Sequence, residues 1–159
     1  MPRTTEPSTI ILHGDDGSRD RRDGVAQGPI EPGMLVGVTG TQDTGVDNTR
    51  EVDAQAEDGV PVPFRLALEY SHTGLGIEDT YEEDQHLEYR HFKAGEVGYG
   101  WLADGETVAE DDLLVSAGDG TFRAAAGDGS EDAAAIGVAT EAVDNDGGTE
   151  PERLRVEAI

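Results

Sequence analysis

Val97–Arg123 reads VGYGWLADGETVAEDDLLVSAGDGTFR, two strand-like runs and two tight turns in one short stretch. Val97, Tyr99, Trp101 and Ala103 alternate with Gly98, Gly100 and Leu102, so one face carries the single Trp and a Tyr, as in a half-buried strand. Asp104-Gly105 offers the positive-φ residue of a hairpin turn. Glu110-Asp111-Asp112 then leads into Leu113-Leu114-Val115, and Asp119-Gly120 turns the chain again before Phe122. The pattern predicts a β-meander whose core holds Tyr99, Trp101, Leu113, Val115 and Phe122. No side chain in it has the character of a reacting group.

Working outward, the firmest alternation is Phe64–Tyr70, FRLALEY, which sets Phe64, Leu66, Leu68 and Tyr70 against Arg65, Ala67 and Glu69. Further strand-like runs are Thr9–His13, Met34–Val38, His86–Phe92, Ile136–Val143 and Arg153–Ile159. No amphipathic helix of useful length occurs. The class is therefore all-β, a small barrel or sandwich of short antiparallel strands. Residues 1–29 read as a flexible arm with a basic loop, and residues 30–159 as one barrel domain. A faint echo pairs Glu31-Pro32-Gly33-Met34-Leu35-Val36 and Leu66-Ala67-Leu68-Glu69 with Glu110-Asp111-Asp112-Leu113-Leu114-Val115 and Val138-Ala139-Thr140-Glu141. Chance is an adequate explanation of an echo of this length.

The charge restricts the partners. Against 35 Asp and Glu stand 11 basic residues, for a net −24, and Lys93 is the only lysine. Such a surface repels nucleic acid and anionic membranes. Disorder is one explanation of the charge, and adaptation to molar salt, where the Debye length falls to about 3 Å, is the other. The alternating apolar runs favour the second. There is no cysteine, hence no disulfide and no thiolate site. Neither an apolar run of membrane-spanning length nor a signal-peptide core in Met1–Thr9 is present, so a soluble chain without an export signal is expected.

Candidate chemistry is thin. His86 and His91 would lie on opposite faces of a strand, and His13 and His72 have no metal-ligand spacing. Gly118-Asp119-Gly120, Gly127-Asp128-Gly129 and Asp144-Asn145-Asp146-Gly147 lack the ligand spacing of a calcium loop and read as turns. Gly98-Tyr99-Gly100 is followed by no helix that could cradle a phosphate, and no serine sits in a nucleophile motif. The expectation is no catalytic residue, no metal and no cofactor. What remains is Arg19, Arg21 and Arg22, the densest basic cluster in the sequence, read either as a solvated loop or as an attachment element for an acidic partner.

The order of the motifs, Pro-Gly-Met-Leu-Val, Ala-Leu-Glu, Gly-Leu-Gly-Ile-Glu-Asp-Thr-Tyr, Lys-Ala-Gly-Glu, Leu-Ala-Asp-Gly-Glu-Thr-Val, Asp-Asp-Leu-Leu-Val-Ser-Ala-Gly-Asp-Gly-Thr-Phe, Ile-Gly-Val-Ala-Thr-Glu-Ala and Arg-Leu-Arg-Val-Glu, resembles the head decoration and capsid-stabilising proteins of tailed viruses. The resemblance covers about residues 30–159. It implies a small barrel that binds the outer surface of a shell of major capsid protein, assembled in the host cytoplasm. It also implies a homo-oligomer, a trimer for preference, with a ring of five or six on a capsomer axis, as a turret or spike, the alternative. With the acidity it implies a tailed virus of an extremely halophilic archaeon; a halophilic host barrel that binds a ligand is the competing role. On this reading Ile10, Ile11 and Leu12, by strand addition, and Arg19, Arg21 and Arg22, by charge, are the capsid-docking candidates.

Overall fold

The computed structural model describes residues 6–14, 21–43 and 48–159. In chain order the strands are β1 (Ile11–His13), β2 (Arg21–Ala26), β3 (Val36–Asp43), β4 (Asn48–Ala54), β5 (Arg65–Ala67), β6 (His86–His91) and β7 (Val97–Leu102). They continue as β8 (Thr107–Val108), β9 (Leu113–Ser116), β10 (Phe122–Ala124), β11 (Gly137–Ala139), β12 (Val143–Asp144) and β13 (Glu152–Ala158). Helical structure among the described residues is confined to the single 3-10 turns Ser71–Thr73 and Asp132–Ala134. The class is all-β.

One sheet runs β7-β10-β9-β11-β13 and closes into a five-stranded barrel, because β13 pairs with β7 from Glu152–Leu102 to Glu157–Val97. The seam between β7 and β10 is parallel and short. It consists of Phe122 opposite Leu102, with the Ala103 N–H donating to the Phe122 carbonyl at 2.8 Å. Inside lie Leu102, Leu114, Phe122, Ala139, Leu154 and Val156, all buried. The alternation in β7 is real but its polarity is the reverse of the sequence reading: Gly98, Gly100 and Leu102 face inward. A Cβ on Gly100 would come within 2.6 Å of the Phe122 ring, and one on Gly98 within 2.6 Å of Leu66. The inner face is bare so that these large side chains can fill it. Trp101 and Leu113 are consequently only half-buried on the outer face, whereas Tyr99 and Val115, also facing outward, are covered by other parts of the chain.

The meander expected for this stretch is likewise corrected. Gly105 takes its positive φ of 74°, but β8 turns away from β7 and pairs with β12 as a separate two-stranded ribbon. Within Val97–Arg123 the hairpin is that of β9 and β10.

A second sheet runs β3-β4-β2-β6-β5, and its ends meet: Leu35 bridges Leu66, and the Ala67 N–H donates to the Met34 carbonyl at 3.0 Å. Its wiring repeats that of the barrel. β2 is parallel to β4 and antiparallel to β6, as β7 is parallel to β10 and antiparallel to β13; β5 pairs with β6 as β11 pairs with β13. The registers superpose residue by residue, so that Gly24 corresponds to Gly100, Val52 to Phe122, Leu35 to Leu113 and Leu66 to Val138. Hydrogen bonds superpose too. Gly33 N–H to Ala67 carbonyl matches Asp111 N–H to Ala139 carbonyl, and Gln27 N–H to Val52 carbonyl matches Ala103 N–H to Phe122 carbonyl. Gly33 and Asp111 hold the same left-handed turn, at φ 95° and 73°. A Cβ on Gly24 would strike Val52 at 2.5 Å, as one on Gly100 would strike Phe122. The echo in the sequence is thus a structural duplication: Leu66–Glu69 and Val138–Glu141 correspond as the letters suggest, and Glu31–Val36 is offset by one residue.

The two five-stranded units share a wall. On β5 and its extension Leu66 and Leu68 point into the barrel's apolar cluster, while Ala67 belongs to the second cluster with Ala26, Val52, Leu87 and Tyr89. Phe64, Leu66 and Phe92 stopper the Gly98–Gly137 end of the barrel; the Phe64 ring lies 5.2 Å from that of Phe92 and 5.4 Å from that of Phe122. The boundary expected at residue 30 runs through this body. β2 is the middle strand of the second unit and β1 is paired to β7, so residues 10–13 and 21–29 are part of the fold and not an arm. The physical reason is that β2 supplies the strand between β4 and β6 without which the unit could not close.

Candidate docking site

Among the docking candidates of the first strand, Ile10 is fully buried in the barrel's cluster, and its carbonyl accepts the Tyr99 N–H at 2.8 Å. Glu69 holds the segment from the other side, accepting from Thr9 Oγ1 at 2.6 Å and from the Ile10 N–H at 3.1 Å. Ile11 and Leu12 are half-buried against the same cluster. Ile10 is therefore not available to a partner: its side chain is spent on the protein's own core. The Thr9–His13 run adds to a sheet edge as its sequence suggests, but the edge is that of β7 in the same chain.

Arg19 lies outside the described residues. Arg21 is tied down, its Nη1 donating to Glu88 Oε1 at 2.5 Å across the β2–β6 pairing. Arg22 is exposed and donates to the Arg21 carbonyl at 3.0 Å. Arg21 and Arg22 are thus divided, because neighbours on a strand point to opposite faces: Arg21 turns to the outer surface of the second unit and Arg22 to its open end.

Most other arginines are ties within the fold, a role the sequence does not announce. Arg153 is the clearest. Its guanidinium lies 3.7 Å over the Trp101 ring and 5.3 Å from Tyr99, and it donates to the Pro32 carbonyl and the Ile77 carbonyl, each at 2.7 Å. Trp101 Nε1 donates to the same Pro32 carbonyl at 3.0 Å. Burial lowers the pKa of Arg153, opposed by the nearby charge of Glu78. The planar fork suits this site, since it stacks and donates at once. Arg90 is completely buried and donates to Glu96 Oε1 at 2.7 Å. Arg123 reaches Asp58 at 2.8 Å and both oxygens of Glu131 at 2.6 and 2.7 Å. Those bonds, followed by one from the Ala126 N–H, hold the Glu131 carboxyl down at about 2 and raise the guanidinium.

His72 and His86 both lie 6.0 Å from the Tyr70 ring, and His86 also faces Asp23 at 3.3 Å. Among the described residues no three His, Asp or Glu side chains are placed to hold a metal ion, and no helix is long and apolar enough to cross a membrane.

No protein-family model and no curated protein matches the chain. A solved structure does. The N base of the head fiber protein gp8.5 of bacteriophage phi29 is similar over 87% of this chain and 92% of that one, with a TM-score of 0.56 at 11% sequence identity. At that identity the likeness is one of fold.

Proposed function

We propose that this protein is a structural component of a virus head, carried on the outer surface of the shell. The observation that carries the reading is that nearly the whole chain shares its fold with nearly the whole of a phage head fiber base. The motif order that resembles head decoration proteins points the same way. In this role the fold is the product: two apolar clusters, with arginines used as internal ties. The major capsid protein is the proposed partner, and the source is a tailed virus adapted to high salt, where a −24 chain escapes most of its self-repulsion. The test is a stained gel of purified virions: a band of this chain in fixed ratio to the major capsid protein is expected. Its absence from the particles would end the proposal. Thermal melts should move to higher temperature from low toward molar salt, and flat melts would remove the salt-adapted source.

A second reading is favoured by the neighbour itself, which is the base of a fiber. Here the protein stands as a homo-oligomeric turret on capsomer axes, in place of a trimer spread over the shell. Counting copies per particle distinguishes them, since axial turrets are few and decoration is many.

A further inference from the structure

The duplicated wiring lets the same end of the two units be compared position by position. In the barrel this end is formed by Gly98, Gly137 and Ala158, and polypeptide fills it: Leu66 and Phe92 pack against the bare backbone at Gly98, and Phe64 at Gly137. In the second unit the corresponding positions are Arg22, Arg65 and His91, joined by Arg50 on β4. With Tyr89, which corresponds to Val156, they line a cleft of about 170 Å³. Three of the ten arginines of a −24 chain thus converge from three different strands on one opening. Arg22, Arg50 and His91 are exposed there, and Arg65 is half-buried. Among the described residues neither Arg50 nor Arg65 has a carboxylate within ion-pair distance, although Arg21, Arg90, Arg123, Arg153 and Arg155 each have one. The floor is also polar: Arg50 Nη1 donates to the Tyr89 hydroxyl at 3.2 Å, which leaves that hydroxyl's own proton to be given to an acceptor.

We propose that this opening is a binding site for an acidic polypeptide segment, whose carboxylates pair with Arg50, Arg65 and Arg22 and accept from Tyr89. Guanidinium forks fit carboxylates two bonds at a time. A polypeptide is the occupant because a polypeptide occupies the same end of the duplicate, with arginines here in place of glycines converting the apolar fit into a charged one. Nucleic acid is disfavoured by the field of the remaining surface, which meets a backbone charge every ~1.7 Å of duplex. The site does not depend on the head-associated role.

The test titrates the whole protein with a fluorescein-labelled oligoglutamate peptide, its oligoglutamine counterpart and inorganic phosphate. Salt is held at about 1 M, where overall repulsion is screened. Saturable anisotropy is expected with oligoglutamate and not with oligoglutamine. Arg50→Gln with Arg65→Gln should weaken binding by about tenfold or more, the loss expected for charge-assisted hydrogen bonds, and Arg155→Gln should leave it unchanged. Should the double variant fold poorly, the Nε–H resonances of Arg50 and Arg65 in the unaltered protein should still move on addition of oligoglutamate. Undiminished binding by a folded double variant, unmoved resonances, or no saturable binding would overturn the proposal. Displacement of the peptide by an equal concentration of phosphate would also overturn it, in favour of a small-anion site.

Discussion

The barrel β7–β13 and the unit β2–β6 have the same strand order, the same single parallel seam and the same glycine facing the central core residue, yet they are filled differently. In the barrel that core residue is Phe122, and the end beyond it is sealed by Phe64, Leu66 and Phe92. In the other unit it is Val52, with Tyr89 and Leu87 beside it, and the end is open and lined by arginine. Hydrogen-bond wiring fixes where side chains meet. It leaves their size and charge free, so one copy can be sealed as a core while the other keeps a charged mouth.

The largest expected difference between the copies is in their central residues. Phe122→Ala should cost about 3–5 kcal/mol and Val52→Ala about 2, because the ring removes far more buried surface than two methyl groups. Denaturant melts check this, and equal losses would show that the duplicates are packed alike. Next comes the shared wall. Leu66 is fully buried in the barrel's cluster but sits on a strand of the other unit, so Leu66→Ala should cost about 2–5 kcal/mol. It should also lower amide exchange protection in both units. Loss confined to β7–β13 would mean that the two unfold independently.

A smaller effect tests the glycine device. Gly100→Ala and Gly24→Ala should each cost about 1–3 kcal/mol by overpacking. Phe122→Val should relieve the first and leave the second untouched, a coupling that a double-mutant cycle measures. Additive losses at Gly100 and Phe122 would break the correspondence. Smallest is a pH effect in the barrel, where Arg123 grips Glu131; the position that duplicates Arg123 is Asp53, whose carboxylate accepts the Ala54 N–H at 2.8 Å. The Glu131 carboxyl sits below its ordinary 4.5, at about 2. A depressed folded pKa adds stability above the unfolded value, so this contribution is present above about 4.5 and is lost as pH falls toward 2. Glu131→Gln should flatten that part of the acid limb in pH-dependent melts, and an unchanged limb would show that the grip does not hold in solution.

Much of this was written in local sequence. Alternation marks strands, and Gly33, Gly105 and Gly120 stand where the backbone takes positive φ. Composition alone determines the acidity, the absence of thiols and the scarcity of lysine. Two things were not local. Period-two alternation defines two faces without saying which is inside, and the natural choice, the face with Tyr99 and Trp101, is the outer one, since an inward glycine is legible only when the ring opposite it is known. The arginine mouth was hidden for the same reason. Arg21-Arg22 shows as a charge run, but Arg50 and Arg65 are isolated letters, and only the registers of β2, β4, β5 and β6 bring them to one opening while turning Arg21 away. Strand class follows from nearest-neighbour chemistry within the chain; which face is buried and which cations meet are set by contacts between distant residues, and those exist only in the folded molecule.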